Sequence, residues 1–216
     1  MKINNIQVNN KQQVDNFYFP SNLEGAWLEN VIKEIWEDKE YEKFETKINP
    51  GDIVLDLGAN VGVFTAYALN QGAHHIYAFE CETKYFDCLR LNTINFSQVT
   101  NIEGIISERY DDVWELDPFR GKDNYNFSRI FKKFNLGKID FCKSDIEGGE
   151  YPLLLDSNID DIKKINKFSI EVHNINVDHK KVYNIIEMFS KNGYFVNFSQ
   201  NIQYELGMIY AKKKDI

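Results

Sequence analysis

Four carboxylates in this chain stand in or directly after apolar runs that read as strands. They are Asp56 in Ile53-Val54-Leu55-Asp56-Leu57, Glu80 after Ile76-Tyr77-Ala78-Phe79, Asp145 after Phe141-Cys142-Lys143-Ser144, and Glu171 in Phe168-Ser169-Ile170-Glu171-Val172. Lys143 precedes one of them by two residues and His173 follows another by two. Carboxylates and imidazoles can take up a proton from a reacting group, and a carboxylate at a strand end can accept hydrogen bonds from sugar hydroxyls. In open α/β sheets ligands bind beyond the carboxyl ends of the strands, so all four acids are expected to face one crevice.

The turn after the first run says which ligand. It reads Gly58-Ala59-Asn60-Val61-Gly62. A dinucleotide fingerprint needs a middle glycine so that backbone can approach a pyrophosphate, and a phosphate-cradling loop needs a Gly-Lys-Ser/Thr ending. Neither pattern is here, and a nucleoside without phosphates fits better. S-adenosylmethionine is such a cofactor. Glu80 is assigned to the ribose hydroxyls, where a two-oxygen carboxylate matches a vicinal diol. Asp56, Gly58, Asn60 and Gly62 are assigned to the methionine half. The same glycines would also suit a tight strand-to-helix turn with no ligand, and Glu80 would also suit the start of the following helix, where the dipole favours an acid.

These residues need a scaffold, and the pattern supplies one. Strands are expected at 53–57, 75–79, about 99–106, 139–144 and 168–172, with helices at about 61–71, 83–95, 127–135, 149–156 and 178–191. Residues 194–199 and 203–211 read as a hairpin, and 107–126, with Tyr110, Trp114 and Phe119, as an irregular loop. Strand and helix alternate, which implies an α/β fold: a doubly wound, mainly parallel sheet with helices on both faces and a C-terminal antiparallel hairpin. Residues 1–48 form an N-terminal extension whose segment 23–46 has a helical period, and 49–216 form the main domain. The 216 residues, 43% apolar, suffice for a sizeable core. A net charge of −8 weighs against nucleic acid as an obligatory partner, because duplex affinity comes from neutralising phosphates. Cys81, Cys88 and Cys142 lack metal-site or disulfide spacing. The first twenty residues are polar and no apolar run approaches a membrane span, so no membrane partner and a cytoplasmic location are expected.

Residues Gly51 to Thr65 resemble the opening motif of the FkbM-type methyltransferases, and Tyr77-Ala78-Phe79-Glu80 resembles their second. Asp140-Phe141-Cys142-Lys143-Ser144-Asp145-Ile146-Glu147-Gly148-Gly149-Glu150 is similar to their most specific motif, and Ile170-Glu171-Val172-His173 to a fourth. The motifs fall in the family's order and cover roughly 50–211. Cys81 stands where a proline is usual, and Ser144 where an aliphatic residue is usual. Neither change removes a charged or glycine position. The resemblance implies a Rossmann-like, seven-stranded sheet, S-adenosylmethionine as donor, and O-methylation of a small molecule or a sugar or glycan.

Methyl transfer to a hydroxyl needs alignment of donor and acceptor and removal of the hydroxyl proton. Asp145 and His173 are equal candidates for the base. Lys143 is a third, against which stands its neighbourhood of carboxylates, which would hold it charged in an ion pair. Asp145, Glu147, Glu171 and His173 could ligate a divalent metal, but no local spacing requires one and none is expected. Two other functions remain open. A nucleic-acid methyltransferase is opposed by the acidic balance and by Asp145-Ile146-Glu147-Gly148 in place of an amino-methylating tetrapeptide. A methyltransferase-like module that binds a partner without catalysis would be separated by a cofactor-binding measurement. The acceptor's identity and the oligomeric state are not encoded in any motif.

Overall fold

A computed structural model of the chain describes residues 2–6, 14–20, 25–108, 121–201 and 205–214. It begins with an antiparallel ribbon, β1 (Lys2–Ile6) and β2 (Val14–Phe19). Helix α1 (Gly25–Ile32) follows and runs into one π-helical segment, Lys33–Glu37. Then come β3 (Ile53–Leu57), α2 (Val63–Asn70), β4 (His75–Glu80), α3 (Thr83–Thr93) and β5 (Val99–Glu103). After the short parallel pair β6 (Ile105–Ile106) and β7 (Asn124–Tyr125) come α4 (Phe127–Lys133), β8 (Phe141–Ser144), α5 (Glu150–Leu155) and α6 (Ile159–Ile162). The chain closes with β9 (Lys167–Val172), α7 (Ile175–Lys191), β10 (Tyr194–Asn201) and β11 (Leu206–Lys213).

Seven strands form the central sheet in the order β10-β11-β9-β8-β3-β4-β5. Strands β3, β4, β5, β8 and β9 are parallel neighbours, and β11 runs antiparallel to both β9 and β10. The expected hairpin is present, and its second strand is the one inserted next to β9. From β3 the chain steps outward through β4 and β5, then returns to the other side of β3 for β8 and β9. The order therefore reverses between β3 and β8, and the crevice for a ligand lies at their carboxyl ends.

Alternation along the strands divides the core. Leu55 and Leu57 face α4 to α7, with Ile130, Phe131, Leu153, Ile162, Ile185 and Phe189. Val54 and Phe141 face α1 to α3, with Leu28, Ile32, Phe64, Tyr67 and Leu89. Strands covered on both faces read as near-continuous apolar runs, which is why β3 and β8 stand out in the sequence.

The N-terminal segment departs from its expected outline. Residues 1–22 carry no clear period, yet β2 packs on α3. Tyr18 N–H donates to Asn92 Oδ1 at 2.7 Å, Asn92 Nδ2 returns a bond to Tyr18 O at 2.9 Å, and Phe17 and Phe19 are buried. The helix expected over 23–46 stops at 37, because the apolar period ends at Ile35 and the following residues make tertiary bonds instead. Glu42 accepts from Tyr67 Oη and from Ile48 N–H, both at 2.6 Å. Phe17, Phe19, Leu28, Ile35, Tyr41 and Ile48 share one core with Val54, Phe64 and Tyr210. The third strand is broken at Gly104, where a Cβ would lie 2.6 Å from the Tyr125 ring. Tyr110, Trp114 and Phe119 lie outside the described residues.

Candidate active site

The centre of the crevice is one lysine. Asp56 on β3 and Lys143 on β8 are direct cross-strand partners, so both side chains stand on the same face. Lys143 Nζ donates to Gly58 O at 2.7 Å and lies 3.4 Å from Asp56 Oδ1 and 3.7 Å from Asp145 Oδ2. The Tyr41 ring lies under the same ammonium, its centroid 5.4 Å away. Burial alone would lower the lysine's pKa, but Asp56, Asp145 and Glu171 outweigh it and hold the group above its usual value. Lys143 is a fixed positive charge here. Asp56 is fully buried, with Oδ2 accepting from Thr65 Oγ1 at 2.6 Å, and desolvation raises its pKa against the pull of Lys143.

Gly58 joins the two halves of the site. Its φ is +77°, and a Cβ there would stand 1.8 Å from the backbone oxygen of Asp145. The end of β8 is pressed against the turn, and Asp145 N–H donates to Leu57 O at 3.0 Å. On its other side the turn holds β4, with Gly58 N–H and Ala59 N–H both donating to Phe79 O at 3.0 and 2.8 Å. Gly62, with φ +92°, starts α2 where a Cβ would meet Leu89 Cδ1 at 2.8 Å. Both glycines are thus demanded by backbone conformation and packing.

Glu80 ends β4 and is 6% exposed. Oε2 accepts from Asn60 N–H at 2.8 Å and Oε1 from Glu82 N–H at 2.7 Å. Desolvation raises its pKa while these amide bonds oppose the rise. A carboxylate accepts about four hydrogen bonds, so these amides leave it some capacity for a ligand. Glu80 thus stands at the carboxyl end of β4 beside the glycine turn, where the ribose of a nucleoside is expected to bind. Asn60 itself sits at φ +52°, its Oδ1 accepting from Val61 N–H at 2.8 Å.

Beyond Lys143 lies a cluster of proton-active side chains. His173, just after β9, places Nε2 3.9 Å from Asp145 Oδ1, 3.8 Å from Glu171 Oε1 and 3.5 Å from Glu147 Oε2. Its Nδ1 lies 3.3 Å from Glu150 Oε1. Glu150 is fully buried and accepts from Ile146 N–H at 2.8 Å and Gly148 N–H at 2.9 Å, so it holds the 145–150 loop and faces the imidazole at once. Tyr151 Oη donates to His173 O at 2.6 Å and fixes the backbone behind the ring. Burial would lower the histidine's pKa, but Glu150, Asp145 and Glu171 lift it to about 9. Glu171 rises to about 7, first through desolvation and then through repulsion from Asp145. Glu147, at φ +55°, is the exposed member.

Tyr41, which no sequence motif marks, completes the cluster. Its Oη stands 3.1 Å from both Asp145 Oδ2 and Glu171 Oε2, one hydroxyl between two carboxylates. Burial and those acids push its pKa well above the usual tyrosine value. The ring is held edge-on by Phe64 at 5.4 Å. Nothing in the stretch Glu40-Tyr41-Glu42-Lys43 distinguishes this residue from a tyrosine on a solvated helix. Glu150 could have been found, because an acid four residues beyond Ile146 and two beyond a glycine can reach back to both amides. The residues assigned from sequence thus form two connected groups, Asn60 with Glu80 and Asp145 with Glu171 and His173. Lys143, Asp56 and Gly58 lie between them.

Next to Glu171 a cavity of about 310 Å³ opens along the C-terminal hairpin. Its polar lining is Glu34, Glu40, Glu171, Ser199, Gln200 and Asn201. No helix among the described residues is long and apolar enough to cross a membrane.

Residues 120–196 match the model of the methyltransferase FkbM domain. That span holds Lys143, Asp145, Glu150, Glu171 and His173 but stops short of the glycine turn. The chain is similar to 31-O-demethyl-FK506 methyltransferase FkbM of Streptomyces tacrolimicus, 36% identical over 65 residues, which is 30% of this chain and 25% of that protein. The matched region therefore spans only a quarter of that relative's length. Among solved structures, the fold is similar to a putative RNA methyltransferase from Pyrococcus horikoshii, with a TM-score of 0.54 at 17% identity over 93% of this chain and 94% of that one. It is also similar to Aeropyrum pernix fibrillarin with natively bound S-adenosyl-L-methionine, with a TM-score of 0.53 at 14% identity over 85% and 74% of the two chains. At such identities these likenesses speak for the fold alone. Over residues 120–196, then, this chain is similar to the methyltransferase FkbM domain, and its fold is similar to those of known methyltransferases.

Proposed function

We propose that this protein uses S-adenosylmethionine to methylate a hydroxyl group on a small polar molecule or sugar. The observation that carries the reading is the junction at Lys143. One fixed ammonium binds the carbonyl of Gly58 in the turn beside Glu80 and reaches Asp145 in the proton-accepting cluster. A nucleoside-holding turn and a set of bases are thereby set side by side at the reversal of strand order. Glu80 would hold the ribose hydroxyls, and the turn from Gly58 to Gly62, with Asp56 behind it, the remainder of the cofactor. When bound, S-adenosylmethionine supplies a sulfonium methyl whose transfer leaves the bonding electron pair on sulfur. Asp145 takes the proton released by the acceptor hydroxyl, and His173, charged below a pH of about 9, stands beside it among the carboxylates. Lys143 is held charged, so it orients Asp145 and does not act as the base.

The cavity supports a small, hydroxyl-rich acceptor. Its volume is at the lower end of the range for small-molecule sites, about 300–1,000 Å³. Three carboxylates, two amides and a hydroxyl line it, and among the described residues no lysine or arginine does. Such a surface offers many hydrogen bonds to a neutral or amine-bearing polyol and repels the phosphates of a nucleic acid. The test is incubation of purified protein with isotopically labelled donor and a panel of polyhydroxylated compounds, with RNA and protein in parallel arms. A mass gain of one methyl on a hydroxyl compound is the expected result. Label entering RNA or protein instead would overturn the acceptor class, and failure to bind S-adenosylhomocysteine would overturn the reading as a whole.

A further inference from the structure

We propose that Asp145, Glu171 and His173 form a binding site for one divalent metal ion, which deepens the reading above and rests on it for the ion's catalytic use. The three residues each offer a donor atom, and these atoms lie within 4.8 Å of one another. They come from the carboxyl ends of two adjacent strands, β8 and β9, so the sheet fixes their spacing. The separations discriminate between a hydrogen-bonded cluster and a ligand set. His173 Nε2 stands 3.8 and 3.9 Å from the carboxylate oxygens of Glu171 and Asp145. That is too long for N–H···O bonds, which lie near 2.7–3.2 Å. Ligand atoms bound at about 2.0–2.2 Å to a common ion stand roughly 3–3.6 Å apart, so closure of these separations by about an ångström at most would complete the sphere.

The imidazole supplies the independent sign. Its Nδ1 faces the fully buried Glu150, whose oxygens are already committed to the amides of Ile146 and Gly148. Metal-bound histidines commonly carry an outer carboxylate at the nitrogen that does not bind the ion, and Glu150 stands in that place. Here the other nitrogen, Nε2, stands 3.5 to 3.9 Å from carboxylate oxygens of Glu147, Glu171 and Asp145, with room for an ion among them. Two carboxylates and one imidazole suit a moderately hard ion such as Mn²⁺ or Mg²⁺, with positions left open for water or a substrate oxygen. An ion there would make an acceptor hydroxyl more acidic beside the bases already named. Tyr41 Oη, within 3.1 Å of Asp145 and Glu171, closes the site on the side of the N-terminal segment.

The probe is Mn²⁺ added to the full chain after chelator treatment, without donor or acceptor, and read by electron paramagnetic resonance. The expected result is one bound ion per chain, with a nitrogen coupling from one imidazole in the pulsed spectrum of the unaltered protein. His173→Ala and Glu171→Gln should abolish measurable binding, and Glu150→Gln should weaken it by about 10–100-fold through loss of orientation. Glu187→Gln, an exposed acid on α7 outside the site, should bind as the unaltered protein does. No binding, or binding without nitrogen coupling, would overturn the proposal. The nitrogen coupling needs no variant, so misfolded substitutions would not obscure the answer. Titration with S-adenosylhomocysteine in chelator reads the cofactor site separately, so loss of one conclusion leaves the other standing.

Discussion

The proposed donor side and the proposed acceptor side of the crevice are built by opposite means. Around Gly58 and Glu80 the structure is mainly backbone. Amides of Gly58, Ala59, Asn60 and Glu82 find acceptors within a few tenths of an ångström of ideal distance, and the glycines are required by steric fit. Around His173 it is side chains from the N-terminal segment and the ends of β8 and β9, and their negative charges are incompletely balanced. Glu171 is held near neutrality and one tyrosine hydroxyl is shared between two acids. The difference teaches that a site can keep its cofactor half rigid and concentrate electrostatic tension where protons must move. Buried charge networks of this kind shift pKa values, which marks them as functional candidates.

The sharpest way to break the comparison is Gly58→Ala. The new Cβ would collide with the Asp145 carbonyl at a backbone angle that disfavours alanine. We expect a loss of at least about 3 kcal/mol of stability, read as a fall in thermal or denaturant midpoint, and both halves of the site lost together. A stable, active Gly58→Ala protein would show that the turn is not the rigid joint described here.

His173→Ala should separate the halves. Turnover should fall by about 10²–10⁴-fold while calorimetric affinity for S-adenosylhomocysteine stays within a few-fold of the parent. An equal loss in both quantities would merge the two sides into one. Glu80→Ala should do the reverse, weakening nucleoside binding by roughly 10–100-fold, the loss expected for hydrogen bonds to a charged group, and more than Asp145→Ala does.

The donor side also has a pH signature. Burial raises the pKa of Glu80, and a ribose diol favours the charged form. Affinity should therefore be full at neutral pH and decline as pH falls through a value above the usual carboxyl range, with the decline absent in Glu80→Gln. A flat profile in the parent protein would remove Glu80 from the ribose.

The smallest effect is expected for Tyr41→Phe. It deletes the bridging hydroxyl but keeps the packing on Phe64. Acceptor KM should change by a few-fold and stability by about 1 kcal/mol, with donor affinity unchanged. Unchanged acceptor kinetics would place Tyr41 outside the site.

Most of the donor half could be read from residue order, because it is local. The run Ile53–Leu57, the two glycines and Glu80 lie within two consecutive strand-to-helix turns, and each keeps its meaning without knowledge of distant contacts. The same holds for the succession of strands and helices in outline, since apolar runs alternate with amphipathic segments. The acceptor half was readable only as a set of residue types, Lys143, Asp145, Glu171 and His173, whose separate roles their positions along the chain do not settle.

Sequence alone determined that this chain winds an α/β sheet, bends after its first core strand on glycine, and carries acids at strand ends, because those properties follow from period, steric demand and apolar runs. Only the tertiary structure decided which groups hold the Lys143 charge, that Glu150 braces His173, and that Tyr41 and Glu34 from the N-terminal segment reach the crevice. Those outcomes depend on which groups meet across 23 to 130 residues of chain, on how deeply each is buried, and on the balance of charges within a few ångströms. None of these is a property of neighbouring residues.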